Sequence, residues 1–273
     1  MKKVIMTLFA AATGLAAIAQ TDVWVWKDGV AMKTTQADSI TFAEPSFTDL
    51  YHDGSEAGYN YVDLGLTSGT RWATMNVGAS KAQEYGNYYA WGETTTKETY
   101  NWSTYLDGNM SSDSDCGTDK DALKGVTDIA GTQYDAARAN WGGKWRMPTK
   151  TQQDELRNEC YWVWTESYNG SNVKGCIVYK AKTSSDKGVK IYEDETPSSS
   201  YKLSDAHIFL PAAGRRYSGD LYYAGSSGGY WSSSLGTDDP GLAWYVFFGS
   251  GDVDYSYDFR YYGRSVRAVC PGE

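Results

Sequence analysis

Short alternating segments of apolar and polar residues, separated by turn residues, run along most of the chain. Residues 22–42 alternate around the turn Lys27-Asp28-Gly29, which predicts two or three short strands. The next segment, residues 44–58, is acidic and rich in small residues, as is typical of a linker. We therefore expect a short β-rich leader over residues 20–43, then the linker, then one folded domain over residues 59–271.

Two helices are expected in this domain. The clearer one begins at Thr149, an N-cap residue with Gln152 three positions later, and should end near Cys160. A second, shorter helix is predicted around residues 134–140. Helix content is therefore low, and strands should dominate the rest of the domain.

Strand patterns fill most of the remaining domain. Asn169-Gly170 lies between two strand-like segments, residues 161–165 and 173–180, and predicts a hairpin. The polar segment over residues 94–121 has few apolar residues and predicts a long surface loop. Further strands are predicted at residues 206–210, 230–234, 243–248 and 265–269.

The first nineteen residues have the composition of a secretory signal peptide. Lys2 and Lys3 precede an apolar and small-residue run that ends at Ala19, and cleavage is predicted after that residue. A membrane anchor is disfavoured because the run is marginal in length and Asp22 follows it without a basic cluster. We expect a secreted or cell-surface protein with no transmembrane segment in its mature chain.

The charge of the chain narrows the choice of partners. Taking Lys2 and Lys3 from the 25 basic residues leaves 23 against 34 acidic ones, a mature net charge of about −11. Nucleic acids and anionic membranes are poor candidates, because their binding relies on clustered Lys and Arg. The 11 Trp, 23 Tyr and 29 Gly, with only six Pro, favour short strands, tight turns and aromatic packing.

Four cysteines in an exported chain permit disulfides. Cys160 and Cys176 flank the predicted hairpin, which makes them the favoured pair, and unpaired thiols in the core are the alternative. Cys116 and Cys270 have no favoured partner. None of the four has the close spacing of a zinc site.

Several motifs stand in a fixed order along the chain. They are Tyr61-Val62-Asp63-Leu64-Gly65-Leu66 with Ser68-Gly69-Thr70-Arg71-Trp72-Ala73, Asn76-Val77-Gly78-Ala79, Tyr89-Ala90-Trp91-Gly92-Glu93, Trp141-Gly142-Gly143-Lys144-Trp145-Arg146-Met147-Pro148-Thr149, Phe209-Leu210-Pro211-Ala212-Ala213-Gly214, Tyr230-Trp231-Ser232-Ser233-Ser234 and Ser265-Val266-Arg267-Ala268-Val269. Their order and spacing resemble the Fibrobacter succinogenes major paralogous domain family, over roughly residues 59 to 270.

This resemblance implies an α+β domain with a C-type-lectin-like fold, in which two helices pack on small antiparallel sheets and the first and last strands lie side by side. It implies no known enzymatic activity. The helix predicted after Met147-Pro148 and the strands predicted at both ends of the domain are consistent with that fold. The family is abundant in exported proteins of Bacteroidetes-like bacteria.

The segment over residues 245–264 consists almost entirely of Tyr, Phe, Gly, Ser, Asp and Arg, the residue types of adaptable recognition surfaces. The alternative is an aromatic strand pair that packs in the core. Strand alternation predicts that Trp244, Val246 and Phe248 point inward and that Tyr245 and Phe247 point outward. The predicted ligand-binding residues are Trp231, Tyr245, Phe247, Asp252, Asp254, Tyr255, Ser256, Tyr257, Phe259, Tyr261 and Tyr262.

These patterns predict an exported, non-catalytic binding or adhesion-type protein that recognises a protein or a glycan. One alternative is a structural component of a surface assembly, in which the leader makes the contacts and the aromatic segment is mostly buried. Another is a receptor diversified by a retroelement, because the segment over residues 245–264 resembles the variable segments of such receptors. An enzyme is the least favoured class.

Catalytic and metal-binding patterns are weak. Asp238-Asp239-Pro240 is more simply a turn than part of a calcium site, so we expect no metal and no cofactor. The formylglycine-generating enzymes share the broad fold but need a pair of nearby C-terminal cysteines, and Cys270 stands alone. His52 and His207 are the only histidines, and the pair Asp252 and Asp254 is better explained as acidic surface than as a glycosidase pair.

Overall fold

The computed structural model describes residues 23–27, 30–34, 51–108, 110–189, 200–236 and 238–272. The chain divides into two compact units, Met1–Ser46 and Phe47–Glu273. The predicted signal peptide and the predicted strand at residues 38–42 lie outside the described residues. None of the helices among the described residues combines the length and the apolar character that crossing a membrane requires.

The first unit contains an antiparallel hairpin. Strand β1 (Val23–Lys27) pairs with β2 (Val30–Thr34), so that Val23 lies opposite Thr34 and Lys27 lies opposite Val30. Two residues, Asp28-Gly29, connect the strands, as expected for a tight turn. Two of the predicted leader strands are therefore present.

The two ends of the second unit share one antiparallel sheet. Strands β3 (Gly54–Glu56), β4 (Tyr59–Val62) and β5 (Arg71–Ala73) follow one another, and β15 (Val269–Cys270) pairs with β5. The first strand, β3, lies inside the predicted linker over residues 44–58, so the folded unit begins before residue 59. The last strand is shorter than predicted, because residues 265–268 form single backbone hydrogen bonds to several segments.

A second sheet carries the predicted hairpin. Strands β6 (Cys160–Thr165) and β7 (Gly175–Lys180) are antiparallel neighbours, and β9 (His207–Pro211) pairs with β7. Strand β8 (Gly188–Val189) pairs parallel to β6 at the other edge. The turn between β6 and β7 contains Asn169 at φ 46°, a left-handed conformation that Asn tolerates.

The remaining strands form a three-stranded sheet and a separate hairpin. The antiparallel sheet contains β12 (Gly228–Leu235), β13 (Leu242–Phe248) and β14 (Val253–Phe259), with β13 in the centre. The hairpin pairs β10 (Arg215–Tyr217) with β11 (Asp220–Tyr222). The sequence pattern does not predict this hairpin, because a three-residue strand is too short to show an alternation of apolar and polar residues.

Both predicted helices are present. Helix α1 (Ala136–Trp141) begins after Asp135, whose carboxylate accepts hydrogen bonds from two backbone N–H groups of the first turn. Helix α2 (Lys150–Glu159) begins after Thr149, which forms the predicted capping box with Gln152. The second unit therefore combines two short helices with small, mostly antiparallel sheets, an α+β arrangement.

The predicted surface loop over residues 94–121 is in part a core segment. Tyr100, Tyr105, Met110 and Cys116 are buried in one hydrophobic cluster. The hydroxyl groups of Tyr100 and Tyr105 donate to backbone carbonyls at 2.7 and 2.6 Å. Because tyrosine can bury its ring once its hydroxyl has a partner, a polar segment with few aliphatic residues can still pack inside.

Arg267 connects three distant parts of the chain at the centre of the domain. Its side chain is almost completely buried, with 1 % of the residue exposed. Nε donates to Oδ1 of Asn76 at 2.9 Å, Nη1 to the Ala73 carbonyl at 3.1 Å and Nη2 to the Phe209 carbonyl at 2.7 Å. Burial lowers the pKa of this guanidinium to about 10, so it remains charged at neutral pH.

The four cysteines are buried and free. In the β6–β7 hairpin Cys160 lies opposite Lys180 and Cys176 lies opposite Trp164, so the favoured Cys160–Cys176 disulfide is wrong. The two residues are several positions out of register, which is farther than a disulfide can span. Burial raises the pKa of both thiols.

We expect the Arg267→Lys substitution to lower the free energy of unfolding by about 3 kcal/mol, because a lysine ammonium cannot reach three acceptors held in the geometry of a guanidinium. Urea denaturation followed by tryptophan fluorescence measures this loss. Arg138→Lys, at an exposed position on α1, is the matched control and should change stability by less than about 0.5 kcal/mol. Equal stability of the two variants would contradict the role assigned to Arg267.

We expect all four thiols of the protein, purified without reductant, to react with a thiol reagent only after unfolding, because thiolates form poorly in a buried apolar environment. Ellman's assay before and after addition of guanidinium chloride measures this. A Ser114→Cys variant carries an exposed thiol and should react promptly in the native state. Two unreactive thiols in the unfolded chain would instead indicate a disulfide.

Candidate ligand-binding surface

The predicted ligand-binding residues of β13 and β14 lie on two opposite faces of the sheet. In the observed register Trp244 pairs with Tyr257 and Val246 with Tyr255, which places these side chains on one face. Tyr245 pairs with Ser256, and Phe247 pairs with Asp254, which places these on the other face. The predicted set therefore does not form one surface.

Three of the predicted residues are buried. Trp231 is completely buried and donates its indole N–H to the Tyr89 carbonyl at 2.9 Å, and Tyr245 and Tyr261 are each 8 % exposed. Trp231 therefore belongs to the core and is not a ligand contact. The predicted orientation of β13 is confirmed for Val246 and Phe248, which are buried, and is wrong for Tyr245, which is buried although it was predicted to point outward. Trp244, which was predicted to point inward, is only half-buried. Both faces of β13 contribute to the core, because Val246 lies in one hydrophobic cluster and Tyr245 lies in another.

The other predicted residues are at least partly accessible. Asp252, Asp254 and Tyr257 are exposed, and Phe247, Tyr255, Ser256, Phe259 and Tyr262 are half-buried. The Tyr255 ring lies between two cations, 4.7 Å from Nζ of Lys150 and 5.1 Å from Cζ of Arg157. Tyr257 packs edge-on against Trp244 with ring centroids 5.3 Å apart.

A denser group of exposed aromatic side chains lies on the β10–β11 hairpin. We name the group formed by Tyr217, Tyr222, Tyr223 and Tyr262 the tyrosine surface. Ring centroids are 6.2 Å apart for Tyr217 and Tyr222, 6.4 Å for Tyr222 and Tyr223, and 5.3 Å for Tyr217 and Tyr262. The first three are among the most exposed large hydrophobic residues of the described chain. Such a contiguous patch is typical of an interaction site.

Tyr223 is the most exposed member, at 60 %. Its backbone has φ 60°, a left-handed conformation that is costly for a bulky side chain. The Tyr223 carbonyl accepts hydrogen bonds from the backbone N–H groups of Ser226 and Ser227, and the tight turn holds this conformation. A strained, exposed aromatic residue is a feature that tends to accompany functional sites.

Arg215 holds the tyrosine surface in place. Its Cζ lies 5.5 Å from the ring centroid of Tyr223 and 4.7 Å from that of Tyr262. Its Nη1 also donates to Oδ2 of Asp258 at 3.1 Å. Cation–π contacts together with an ion pair restrict both rings, so the surface requires little ordering when it binds.

A cavity of about 320 Å³ adjoins the tyrosine surface. We name it the arginine cavity. Tyr223 belongs to both the cavity and the tyrosine surface. The cavity is also lined by Arg215, Tyr245, Phe247, Arg264, Gly214 and residues 226–229. Two residues of the predicted set, Tyr245 and Phe247, are thus brought together here, on one face of β13.

Three of the exposed tyrosines are absent from the predicted ligand-binding residues. Tyr217, Tyr222 and Tyr223 lie outside the segment over residues 245–264, although residues 215–230 share its Tyr, Ser, Gly and Asp composition. A wider composition window would have included them. Their proximity to Tyr262 follows only from tertiary pairing, in which Arg216 and Gly263 exchange two backbone hydrogen bonds.

Two arginines of the predicted variable segment have structural contacts. Arg260 is fully buried and its Nη2 pairs with Oδ2 of buried Asp121 at 2.8 Å. Arg264 is 3 % exposed and its Nη2 donates to Asp258. Removing one member of a buried ion pair is strongly destabilising, so these positions tolerate little diversification.

A second cavity, of about 640 Å³, lies near Glu93, Lys97 and Tyr134. Its charged groups already have partners, because Lys97 Nζ lies 2.8 Å from Glu93 and 2.9 Å from the Thr104 carbonyl. Glu93 also accepts from the backbone N–H of Leu106 at 2.8 Å. This cavity therefore presents fewer unsatisfied groups to a ligand than the arginine cavity does.

The candidate catalytic and metal-binding residues do not converge. His52 is exposed, whereas His207 and Cys270 are buried. The carboxylate of Asp239 accepts from the backbone N–H of Gly241 at 2.8 Å, as in a turn. Among residues 51–272, with the gaps given above, no three His, Cys, Asp or Glu side chains are grouped closely enough to hold a metal ion.

Comparisons of the chain with protein-family models, with curated proteins and with solved structures found no match.

His207 is a structural residue. A carbonyl can only accept, so Nδ1 donates to the Asp205 carbonyl at 2.8 Å. Burial lowers the pKa of the ring below the ordinary value of 6.5, which favours its neutral form. In that form Nε2 accepts from the Tyr168 hydroxyl at 2.9 Å, so both ring nitrogens have a partner.

We expect stability to fall as the pH decreases below about 6.5, because the unfolded chain then binds a proton at His207 that the folded chain does not. Comparing urea denaturation of the wild type and of His207→Gln between pH 7.5 and 5 isolates this contribution. The variant should lose part of the pH dependence, whereas His52→Gln at an exposed position should keep all of it. Identical pH profiles for His207→Gln and the wild type would refute the assignment.

Proposed function

We propose that the protein is an exported, non-catalytic binding protein that recognises a glycan or a protein through the tyrosine surface. The observation that carries this proposal is the contiguous array of exposed tyrosines on the β10–β11 hairpin, which Arg215 and backbone hydrogen bonds hold in place.

The chemistry of the surface supports recognition. Tyrosine rings provide a large contact area with few rotatable bonds, and their hydroxyl groups supply hydrogen bonds at the same time. Because Tyr217 and Tyr262 pack against each other, much of the entropy that binding would remove is already lost in the free protein.

The same proposal includes the fold and the cellular location. We propose a C-type-lectin-like domain of the Fibrobacter succinogenes major paralogous type, supported by the ordered motifs, two short helices and small sheets. The sharing of one sheet by β3, β4, β5 and β15 also agrees with that fold. Export is supported by the apolar run before Ala19, and the acidic mature chain disfavours nucleic-acid partners.

A structural role in a surface assembly remains the second candidate. The burial of Trp231, Tyr245 and Tyr261 is what that alternative predicts for the aromatic C-terminal segment. The exposed tyrosines of β10 and β11 favour recognition instead, because the structural alternative predicts that the aromatic side chains are mostly buried.

The test is a combined glycan and protein array probed with the wild type and with single-alanine variants. We expect Tyr217→Ala and Tyr223→Ala each to weaken binding about tenfold or more, because truncating a tyrosine that is a binding hot spot costs about 2 kcal/mol or more. Tyr51→Ala is the matched control, since Tyr51 is 37 % exposed and lies near the β3–β4 hairpin.

Tyr257→Ala serves as a second comparison. Tyr257 is 56 % exposed, lies on β14 and is one of the ligand-binding residues predicted from the sequence. We expect its removal to leave binding unchanged. Loss of binding in Tyr257→Ala but not in Tyr223→Ala would place the ligand on the strand face and overturn the proposal, as would the absence of any ligand on the array.

A further inference from the structure

The arginine cavity has an unbalanced charge. Asp258 is the carboxylate that faces both arginines, and it accepts from Nη1 of Arg215 and from Nη2 of Arg264. Two guanidinium groups therefore share one carboxylate, which leaves about one positive charge in a protein whose formal net charge is −9. An unpaired positive charge in a partly buried site favours an anionic ligand.

Arg264 is built into the wall of this cavity. Its side chain is 3 % exposed, and its Cζ lies 3.5 Å from the ring centroid of Tyr245 and 5.2 Å from that of Trp231. Its Nε and that of Arg215 have no hydrogen-bond acceptor among the described residues, so both donors are available to a ligand.

Glycines make the room for this arrangement. A Cβ on Gly229 would overlap Nη1 of Arg264, and a Cβ on Gly228 would overlap the Phe248 ring. Gly214 has φ 64°, and a Cβ there would overlap the Tyr222 carbonyl. Backbone therefore approaches closely on this side, and the Arg264 guanidinium occupies the space that a side chain at position 229 would need.

The size and lining of the cavity indicate which anion it suits. About 320 Å³ is at the lower end of the range for small-molecule sites, roughly 300–1,000 Å³, and is more than a lone carboxylate needs. Tyr223 and Phe247 offer ring surface to the C–H groups of a sugar, and Ser226 and Ser227 offer hydroxyl groups at the rim. One pyranose ring that bears a carboxylate matches these features together.

We propose that the arginine cavity binds the carboxylate-bearing sugar residue of an acidic glycan, such as a hexuronic acid, with Arg215 and Arg264 facing the carboxylate and Tyr223 against the ring. This inference rests on the proposed recognition function and specifies its ligand class. The neighbouring tyrosine surface then contacts the sugar residues that follow.

Saturation-transfer NMR with millimolar methyl glucuronoside and methyl glucoside tests the proposal, because the two sugars differ only in the carboxylate. We expect the wild type to bind the glucuronoside at least tenfold more tightly. Arg215→Gln should abolish this preference, whereas Arg138→Gln, at an exposed position on α1, should retain it. Arg264→Gln should also abolish the preference for the glucuronoside. If this variant of a buried residue does not fold, the Arg215→Gln variant still tests the proposal.

Three results would overturn the proposal: equal binding of the two sugars, a preference that survives Arg215→Gln, or equally tight binding of N-acetylglutamate, which would show that any carboxylate suffices. The two proposals fail separately. If Tyr217→Ala removes binding to a neutral array ligand while the glucuronoside and the glucoside bind equally, only the proposal for the arginine cavity is contradicted. If the preference for the glucuronoside depends on Arg215 but Tyr217→Ala leaves array binding intact, only the proposal for the tyrosine surface is contradicted.

Discussion

The buried guanidinium of Arg267 is the interaction on which the domain depends. It carries a charge into the core, which is tolerable only because Asn76, Ala73 and Phe209 supply acceptors from segments far apart in the chain. Those segments must therefore meet around the C-terminal residues. The carbonyls of Val266 and Ala268 extend the same connection, since they accept from the backbone N–H groups of Val77 and Ala73. The end of the chain is in this way a central element and not an appendage.

This central segment also shapes the proposed binding site. Gly263 exchanges two backbone hydrogen bonds with Arg216, which fixes the β10–β11 hairpin and its tyrosines beside the C-terminal residues. Arg264 follows directly and projects into the wall of the arginine cavity. Core stability and the proposed recognition thus depend on neighbouring residues, because the hairpin that carries the tyrosines is attached to the core. A rigid surface loses little conformational entropy when it binds, which agrees with the proposed recognition function.

Aromatic residues have two different roles in this protein. Trp72, Trp91, Trp145, Trp162 and Trp231 are among the largest fully buried side chains, and many buried tyrosines satisfy their hydroxyl groups with backbone carbonyls. Three of the exposed tyrosines, by contrast, lie at one short hairpin beside the cavity, and Tyr51 and Tyr257 are exposed elsewhere. Composition alone does not distinguish these roles, because the same residue types serve the core and the surface. Whether a ring is buried or exposed depends on what packs against the face of the strand on which that ring lies.

The sequence by itself determined the local elements of the protein. The capping box at Thr149, the Asn169-Gly170 turn and the strand segments of β6, β7, β12 and β13 depend on residues close together in the chain, and all were predicted. Only the tertiary structure decided which side of β13 is covered, how β10 and β11 meet Gly263, that the four cysteines are unpaired, and that the segment over residues 94–121 enters the core. Each of these depends on contacts between residues far apart in sequence, and neither periodicity nor composition carries information about such pairings. The local rules therefore identified the aromatic region, and the long-range packing selected the tyrosines that reach its surface.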